Sequence, residues 1–415
     1  MKNNFSLSLA ILISLTACQY KQPKIQKSEG KPTVACYYFP NYHLDKRNKA
    51  VFKSDWTEWE LIKTAKPRYP GHYQPREPLW GYTDEADPVQ MAQKIDAAAD
   101  HGVGAFIFDW YYYDDGPFLE RGLEDGFMRA QNCNKMKFAL MWANHNWIDI
   151  FPIKIGSDKK VNPPVMYQGK ITPETWDKMT DYIIEKYFKH SSYWLIDGAP
   201  YFSVYDLSKF MESFGSVDAT IDAIKQFRKK TKNAGFSDLH FNLVFWGNPI
   251  LPGEEVVKDG NKLGTKLGFN SITSYVWIHH TGLKEFPISS YDSIQSRYFR
   301  YAQDALTKYD LPYFPNVSVG WDSSPRCDPS APWGNYGYPY TPIVEGSTPE
   351  AFKKALIQAK DFLIKNPSTK GILTLNSWNE WTEGSYLEPD MVNGMKYLEA
   401  VREVFANKTI NKQIK

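Results

Sequence analysis

Runs of β-branched and aromatic residues recur eight times along the chain, each ending in polar or turn-forming residues. They fall at 33–40, 103–110, 137–144, 200–205, 239–246, 271–278, 313–320 and 371–378, and each reads as a buried strand. Apolar positions at helical spacing lie between them, near 88–101, 118–131, 173–189, 217–234, 291–308, 349–364 and 392–405. Asp87-Pro88, Thr172-Pro173 and Thr348-Pro349 each put a capping side chain before a proline in the first helical turn. Strand and helix alternating eight times predict an α/β fold, a single (β/α)8 TIM barrel with long loops at its C-terminal mouth. An open doubly wound sheet is the alternative. It would carry a glycine-rich turn such as G-x-G-x-x-G after a strand, and none follows any of the eight. Residues 41–86 show no helical pattern and read as a large loop over the barrel mouth.

The two ends depart from this alternation. Phe5 to Leu15 is a short apolar run after Lys2, followed by Thr16-Ala17-Cys18. Such a run resembles a secretory signal and is too short to span a bilayer as a mature helix. Small residues before a cysteine resemble a lipoprotein cleavage site. Residues 1–17 are therefore expected to be a signal peptide and Cys18 to carry lipid. Gln19, not Asp, follows Cys18, which favours the outer membrane, on its periplasmic face or at the cell surface. Residues 18–31 are polar and read as a tether, 32–408 as the catalytic barrel and 409–415 as a tail. Cys36, Cys133 and Cys327 are an odd set at wide spacing, giving neither a disulfide framework nor a metal motif.

Charge narrows the class of partner. The 49 basic and 47 acidic residues are spread evenly, with no basic stripe for nucleic acid. The informative excess is aromatic: 14 Trp, 27 Tyr and 24 Phe, many of them beside Asn, Asp, Glu or His at strand ends. Flat rings beside hydrogen-bonding groups suit sugars, which present an apolar face and a hydroxyl rim. A polysaccharide or oligosaccharide substrate is expected, with membrane contact through the lipid, no cofactor, no metal, and a monomeric state.

Chemistry in such barrels gathers at the C-terminal strand ends. Those ends supply Tyr38 and Tyr42, Asp109 and Trp110, Asn144, His145 and Asn146, Trp246, Trp277, then Trp321, Asp322 and Arg326. All are candidate sugar contacts. The last strand runs into Asn376-Ser377-Trp378-Asn379-Glu380-Trp381-Thr382-Glu383-Gly384. An isolated E-x-x-E is more often a cap or an ion pair. At an eighth strand end, flanked by Trp378, Asn379 and Trp381, it matches the two carboxyl groups that glycosidic cleavage needs. Strand alternation puts Asn376, Trp378 and Glu380 on one face. His145 has no second ligand at metal spacing and reads as a substrate contact. Asp109 orients a catalytic group or a sugar hydroxyl, or is a buried structural carboxylate. The doublet His279-His280 reads as a surface or loop feature. The main cavity is expected to include Asp109, Asn144, His145, Trp246, Trp321 and Glu380, with residues 41–82 in its wall.

Four segments carry a further signal: 55–82 (DWTEWELIKTAKPRYPGHYQPREPLWGY), 141–147 (MWANHNW), 319–326 (VGWDSSPR) and 376–390 (NSWNEWTEGSYLEPD). They resemble the WbsX-like family, across about residues 33–405. That family is related to glycoside hydrolase family 99, (β/α)8-barrel endo-acting enzymes on α-mannosides. The resemblance implies that Glu380 assists the sugar 2-hydroxyl as a base, through a 1,2-anhydro sugar. It implies that Glu383 is the general acid and later activates water, a retaining route without a covalent enzyme link. As the acid, Glu383 is expected to have a raised pKa beside an ionised Glu380. The long loop after the first strand differs from family 99, which puts the mannose specificity in question.

Three functions compete. The first is a retaining glycoside hydrolase on a complex glycan. The second is a WbsX-type glycosyltransferase or transglycosylase in surface polysaccharide synthesis. An export signal and the lack of a D-x-D or phosphate-cradling loop weigh against nucleotide-sugar transfer. The third is a non-catalytic glycan-binding lipoprotein, against which the presence of both Glu380 and Glu383 argues.

Overall fold

Eight parallel strands close into a ring in the computed structural model, which describes residues 31–52, 54–148, 151–152 and 164–406. The signal peptide, Cys18, the tether up to residue 30 and the tail at 409–415 lie outside the described residues. The strands are β1 (Thr33–Tyr38), β2 (Ala105–Tyr113), β3 (Lys137–Trp142), β4 (Ala199–Val204), β5 (His240–Val244), β6 (Ser271–Thr273), β7 (Tyr313–Phe314 and Asn316–Ser318) and β8 (Ile372–Asn376). Each pairs in parallel with its successor, and β8 pairs with β1. The ring closes through β7, which breaks at Pro315. Tyr313–Phe314 pair with β6, and Asn316–Ser318 pair with β8. Proline has no N–H for the ladder, so the strand changes partner there. The Pro315 carbonyl still accepts from Thr374 N at 3.0 Å.

Helices lie where the periodicity predicts them, over Pro88–Asp100, Val217–Asn233, Tyr291–Lys308 and Pro349–Lys365. Asp87, Thr172 and Thr348 each cap a first turn by accepting a backbone N–H. Two expectations need correction. Residues 118–131 form only a short π-turn, Gly122–Phe127. The chain there lies so close to its neighbour that a Cβ on Gly126 would meet the Glu85 carbonyl oxygen at 2.0 Å. Residues 41–86 contain two helices, Lys46–Phe52 and Trp59–Thr64. Both are shorter than two turns, too short to show a period in sequence.

Side chains alternate along the strands. On β2, Asp109 and Tyr111 face the barrel mouth, while Trp110 points outward and donates from its indole N–H to the Tyr187 hydroxyl at 3.1 Å. The long segment after β1 is tied to the loop after β7. Asp322 accepts from Gln74 Nε2 at 2.8 Å and Arg76 at 3.3 Å, and its Oδ2 lies 2.9 Å from His72 Nε2. Arg68 donates to the carbonyls of Ser324 and Cys327. The segment therefore sits at the C-terminal mouth, as a brace behind the site. Among the described residues no helix is long and apolar enough to cross a membrane.

Candidate active site

A cavity of about 730 Å³, counted out to open solvent, lies at the C-terminal mouth. Glu380 and Glu383 both line it, with Asp109, His145, Asn146, Trp321 and Arg326. The pleat of β8 does not deliver Glu380, because regular pairing stops at Asn376. Instead Asn379–Glu380 pair antiparallel with Ser385–Tyr386, around a 3-10 turn at Trp381–Glu383. The turn requires Gly384. Its φ is +63°, and a Cβ there would lie 2.6 Å from the Asp322 Cβ. The close approach lets Asp322 N donate to the Glu383 carbonyl at 2.5 Å.

One guanidinium organises the acids. Arg326 Nη1 donates to Glu383 Oε1 at 2.6 Å, and Nη2 lies 3.4 Å from Glu380 Oε2. Nε and Nη2 donate to Glu58 Oε1 at 2.9 and 2.8 Å. Glu58 also accepts from Asn41 and Thr382. The Tyr338 hydroxyl donates to Glu383 at 2.8 Å. On the other side, the Tyr275 hydroxyl lies 2.8 Å from Asp109 Oδ2 and 3.2 Å from Glu380 Oε1. A tyrosine has one hydroxyl proton and cannot donate to two carboxylates at once. That geometry favours a proton on Asp109 or Glu380.

The electrostatics agree. Burial, and then the charge of Glu383, raise Glu380 well above the usual carboxylate range, against the pull of Arg326. Burial also raises Glu383, but Arg326 and Tyr338 oppose the rise at close range. Burial raises Asp109 as well. Glu380, expected to be the ionised partner, is thus raised as Glu383 is. Burial lowers His145 to about 4, so its imidazole is neutral.

Other sequence-predicted contacts do not line this cavity. Tyr38 packs outward on Phe106 and Phe108. Tyr42 is buried between Phe39 and Trp59. Asn144 exchanges two hydrogen bonds with the Asp206 backbone, and Asn379 does the same with Phe39. Trp246 donates to the Tyr205 carbonyl, and Trp277 to that of Asn316. Trp378 and Trp381 both donate to Glu388, itself 2.6 Å from Lys94. Asp322 anchors the long segment. In each case the polar atom that would have met a sugar is engaged in holding the barrel together, or the ring lies in the core.

The expected wall at 41–82 is likewise a layer behind the cavity, reaching it through Glu58 and Arg326. His279, read as a surface feature, is buried and lines the cavity. Tyr338 and Glu58 were missed; their partners lie 45 and 268 residues away in sequence, with no local signal. Among the described residues no cluster of three or more His, Cys, Asp or Glu is placed to hold a metal ion.

The strand order and this mouth define the chain as a (β/α)8 barrel. A family model described as "Glycosyltransferase WbsX" matches residues 34–401, and the chain belongs to that family. It is 23% identical over 373 residues to the uncharacterized protein WxcX of Xanthomonas campestris pv. campestris, covering 89% of this chain and 49% of that one. The chain thus spans about half the length of the curated relatives it matches. The GH99 endo-alpha-mannosidase of Bacteroides thetaiotaomicron shares the fold, with a TM-score of 0.53 and 16% identity over 89% of this chain and 95% of that one. A glycoside hydrolase-like protein superposes with a TM-score of 0.54 and 14% identity over 93% and 97%.

Proposed function

We propose that this protein is a retaining glycoside hydrolase, and that Glu380 and Glu383 are its catalytic carboxylates. The supporting observation is that both are buried in one cavity and touch one guanidinium, Arg326. A single negative charge shared by the pair is compensated on either carboxylate. One acid and one base can then coexist, as glycosidic cleavage requires.

Glu380 is the base on the sugar 2-hydroxyl. Its raised pKa makes its ionised form the stronger proton acceptor. Glu383, held by Arg326 and the Tyr338 hydroxyl, is the acid for the leaving oxygen. In the reactive state the proton is on Glu383 and Glu380 is ionised. As O2 loses its proton to Glu380 it attacks C1, and the leaving oxygen departs with the proton of Glu383. Water, deprotonated by Glu383, then opens the anhydro ring at C1, and O2 recovers its proton from Glu380. The substrate is a glycan outside the cytoplasm, which suits a chain lipidated at Cys18 and held at the outer membrane.

The second reading comes from the family's description as a glycosyltransferase. The same carboxylates would serve a transglycosylase, with an acceptor hydroxyl replacing water. Incubating the protein with candidate glycans separates the two. Hydrolysis releases new reducing ends; transfer lengthens an acceptor with no net gain of them. Unaltered glycan across polysaccharides, surface glycans and α-mannosides counts against both.

A further inference from the structure

The cavity lining combines polar groups with aliphatic side chains. Arg326, Tyr338, Glu380 and Glu383 line the side built after β7 and β8. Met141 of β3 and Ala143, Ile250, Leu251 and Val276, from the segments after β3, β5 and β6, line the cavity as well. His279 lines the cavity with them. Its ring centroid is 6.3 Å from that of Tyr275, whose hydroxyl reaches Glu380. His279 Nδ1 is buried with no partner among the described residues, while Nε2 lies 3.5 Å from the Tyr205 hydroxyl.

A hexose turning its hydroxymethyl group towards aliphatic side chains would strip water from a hydroxyl and return no hydrogen bond. A methyl group in the same place buries apolar surface and leaves nothing unpaired. We propose that the sugar unit filling this cavity carries a methyl group, set against Ile250, Leu251 and Val276, with His279 Nδ1 bonding a polar group beside it. The methyl is either C6 of a 6-deoxyhexose or the end of an N-acetyl group. Burial keeps the His279 imidazole neutral, with a pKa of about 3, so it acts as a hydrogen-bonding partner and not as a cation. The proposal rests on the glycan reading above and adds the substrate class.

The test is binding, not turnover. Methyl glycosides are compared on the full chain by titration calorimetry or saturation-transfer NMR. One set of pairs differs only in methyl against hydroxymethyl at C6. A second differs only in N-acetyl against hydroxyl at C2. One set should show a preference of about tenfold or more for the methyl-bearing member, the size expected for one such group in an apolar pocket. Which set shows it names the source of the methyl. Leu251→Asn should shrink that ratio to within about threefold, and His279→Phe should weaken both members. Equal binding in both sets, a preference for the hydroxyl-bearing member, or a ratio unmoved by Leu251→Asn overturns the proposal alone. Binding of no glycoside overturns it together with the glycan reading. A preserved preference without released reducing ends leaves it standing and removes only the hydrolase reading.

Discussion

Arg326 Nη1 stands 2.6 Å from Glu383 Oε1, with both side chains buried. The same guanidinium holds Glu58 and touches Glu380. Losing it would leave three carboxylates in a water-poor site with no cation. Removing one partner of a buried ion pair costs about 3–5 kcal/mol. Arg326→Met should lower unfolding stability by that order and abolish turnover, and Arg326→Lys should recover part of the stability. Equilibrium urea unfolding reads the difference. An unchanged midpoint for Arg326→Met would mean that the guanidinium does not hold the acids in place.

Glu380 keeps its proton to a higher pH in the folded chain than in the unfolded one. Between those two values the unfolded state binds fewer protons, so stability falls as pH rises. Glu380→Gln removes that fall. The variant should match wild type near pH 4 and exceed it at pH 8, on the order of 1 kcal/mol. In wild type, kcat/KM should be bell-shaped, with its acid limb above the ordinary carboxylate range because both carboxyls are raised. An acid limb near pH 4 would contradict the burial argument.

Asp322 runs the other way. Burial pushes its pKa up, but His72 and Arg76 outweigh burial and hold it below the usual range. Its contribution is present above the unfolded value and is lost as pH falls towards the folded one. Asp322→Asn should cost about 3 kcal/mol at neutral pH. The gap to wild type should narrow below about pH 4. Limited proteolysis should cut first within residues 66–82, the segment that Asp322 anchors. A gap constant down to pH 2 would show that the charge is not what holds the loop.

Two tryptophans separate the cavity from the core. Trp321 lines the cavity, whereas Trp378 packs on Phe106 and donates to Glu388. Trp321→Phe should raise KM several-fold, and losing its indole bond to the Thr341 hydroxyl should cost about 1 kcal/mol. Trp378→Phe should lower stability by about 1–3 kcal/mol and leave KM unchanged. The reverse pattern would place the sugar on the other face of the strand-8 hairpin.

The contrast marks how far the sequence is legible. Barrel strands show in one dimension because each is a short run bounded by turn residues, and the Glu380–Glu383 pair shows because it follows the eighth. Asp109, His145 and Arg326 follow from the same rule about strand ends. The rule fails for Trp110, Trp277 and Trp378, because half the residues at a strand end face the surrounding helices, not the mouth. Alternation gave the wrong route for Glu380, since β8 stops at Asn376 and a hairpin resets the facing. Glu58 and Tyr338 reach the site through contacts between distant segments, which no local pattern encodes. The aliphatic part of the lining is equally hidden, because Met141, Leu251 and Val276 look like any core residues in sequence.

The central claim is that Glu380 and Glu383 share one cleavage reaction. Its most direct measurement is the turnover of Glu380→Gln and Glu383→Gln on a confirmed glycan and on its activated aryl glycoside. Both substitutions are near-isosteric and should keep the fold and glycan binding. Each should cut turnover on the natural glycan by several orders of magnitude. An aryl leaving group needs little protonation, so Glu383→Gln should recover bond cleavage on it, while Glu380→Gln should not. Equal, small losses in both variants on both substrates would contradict the account and move the chemistry elsewhere in the barrel.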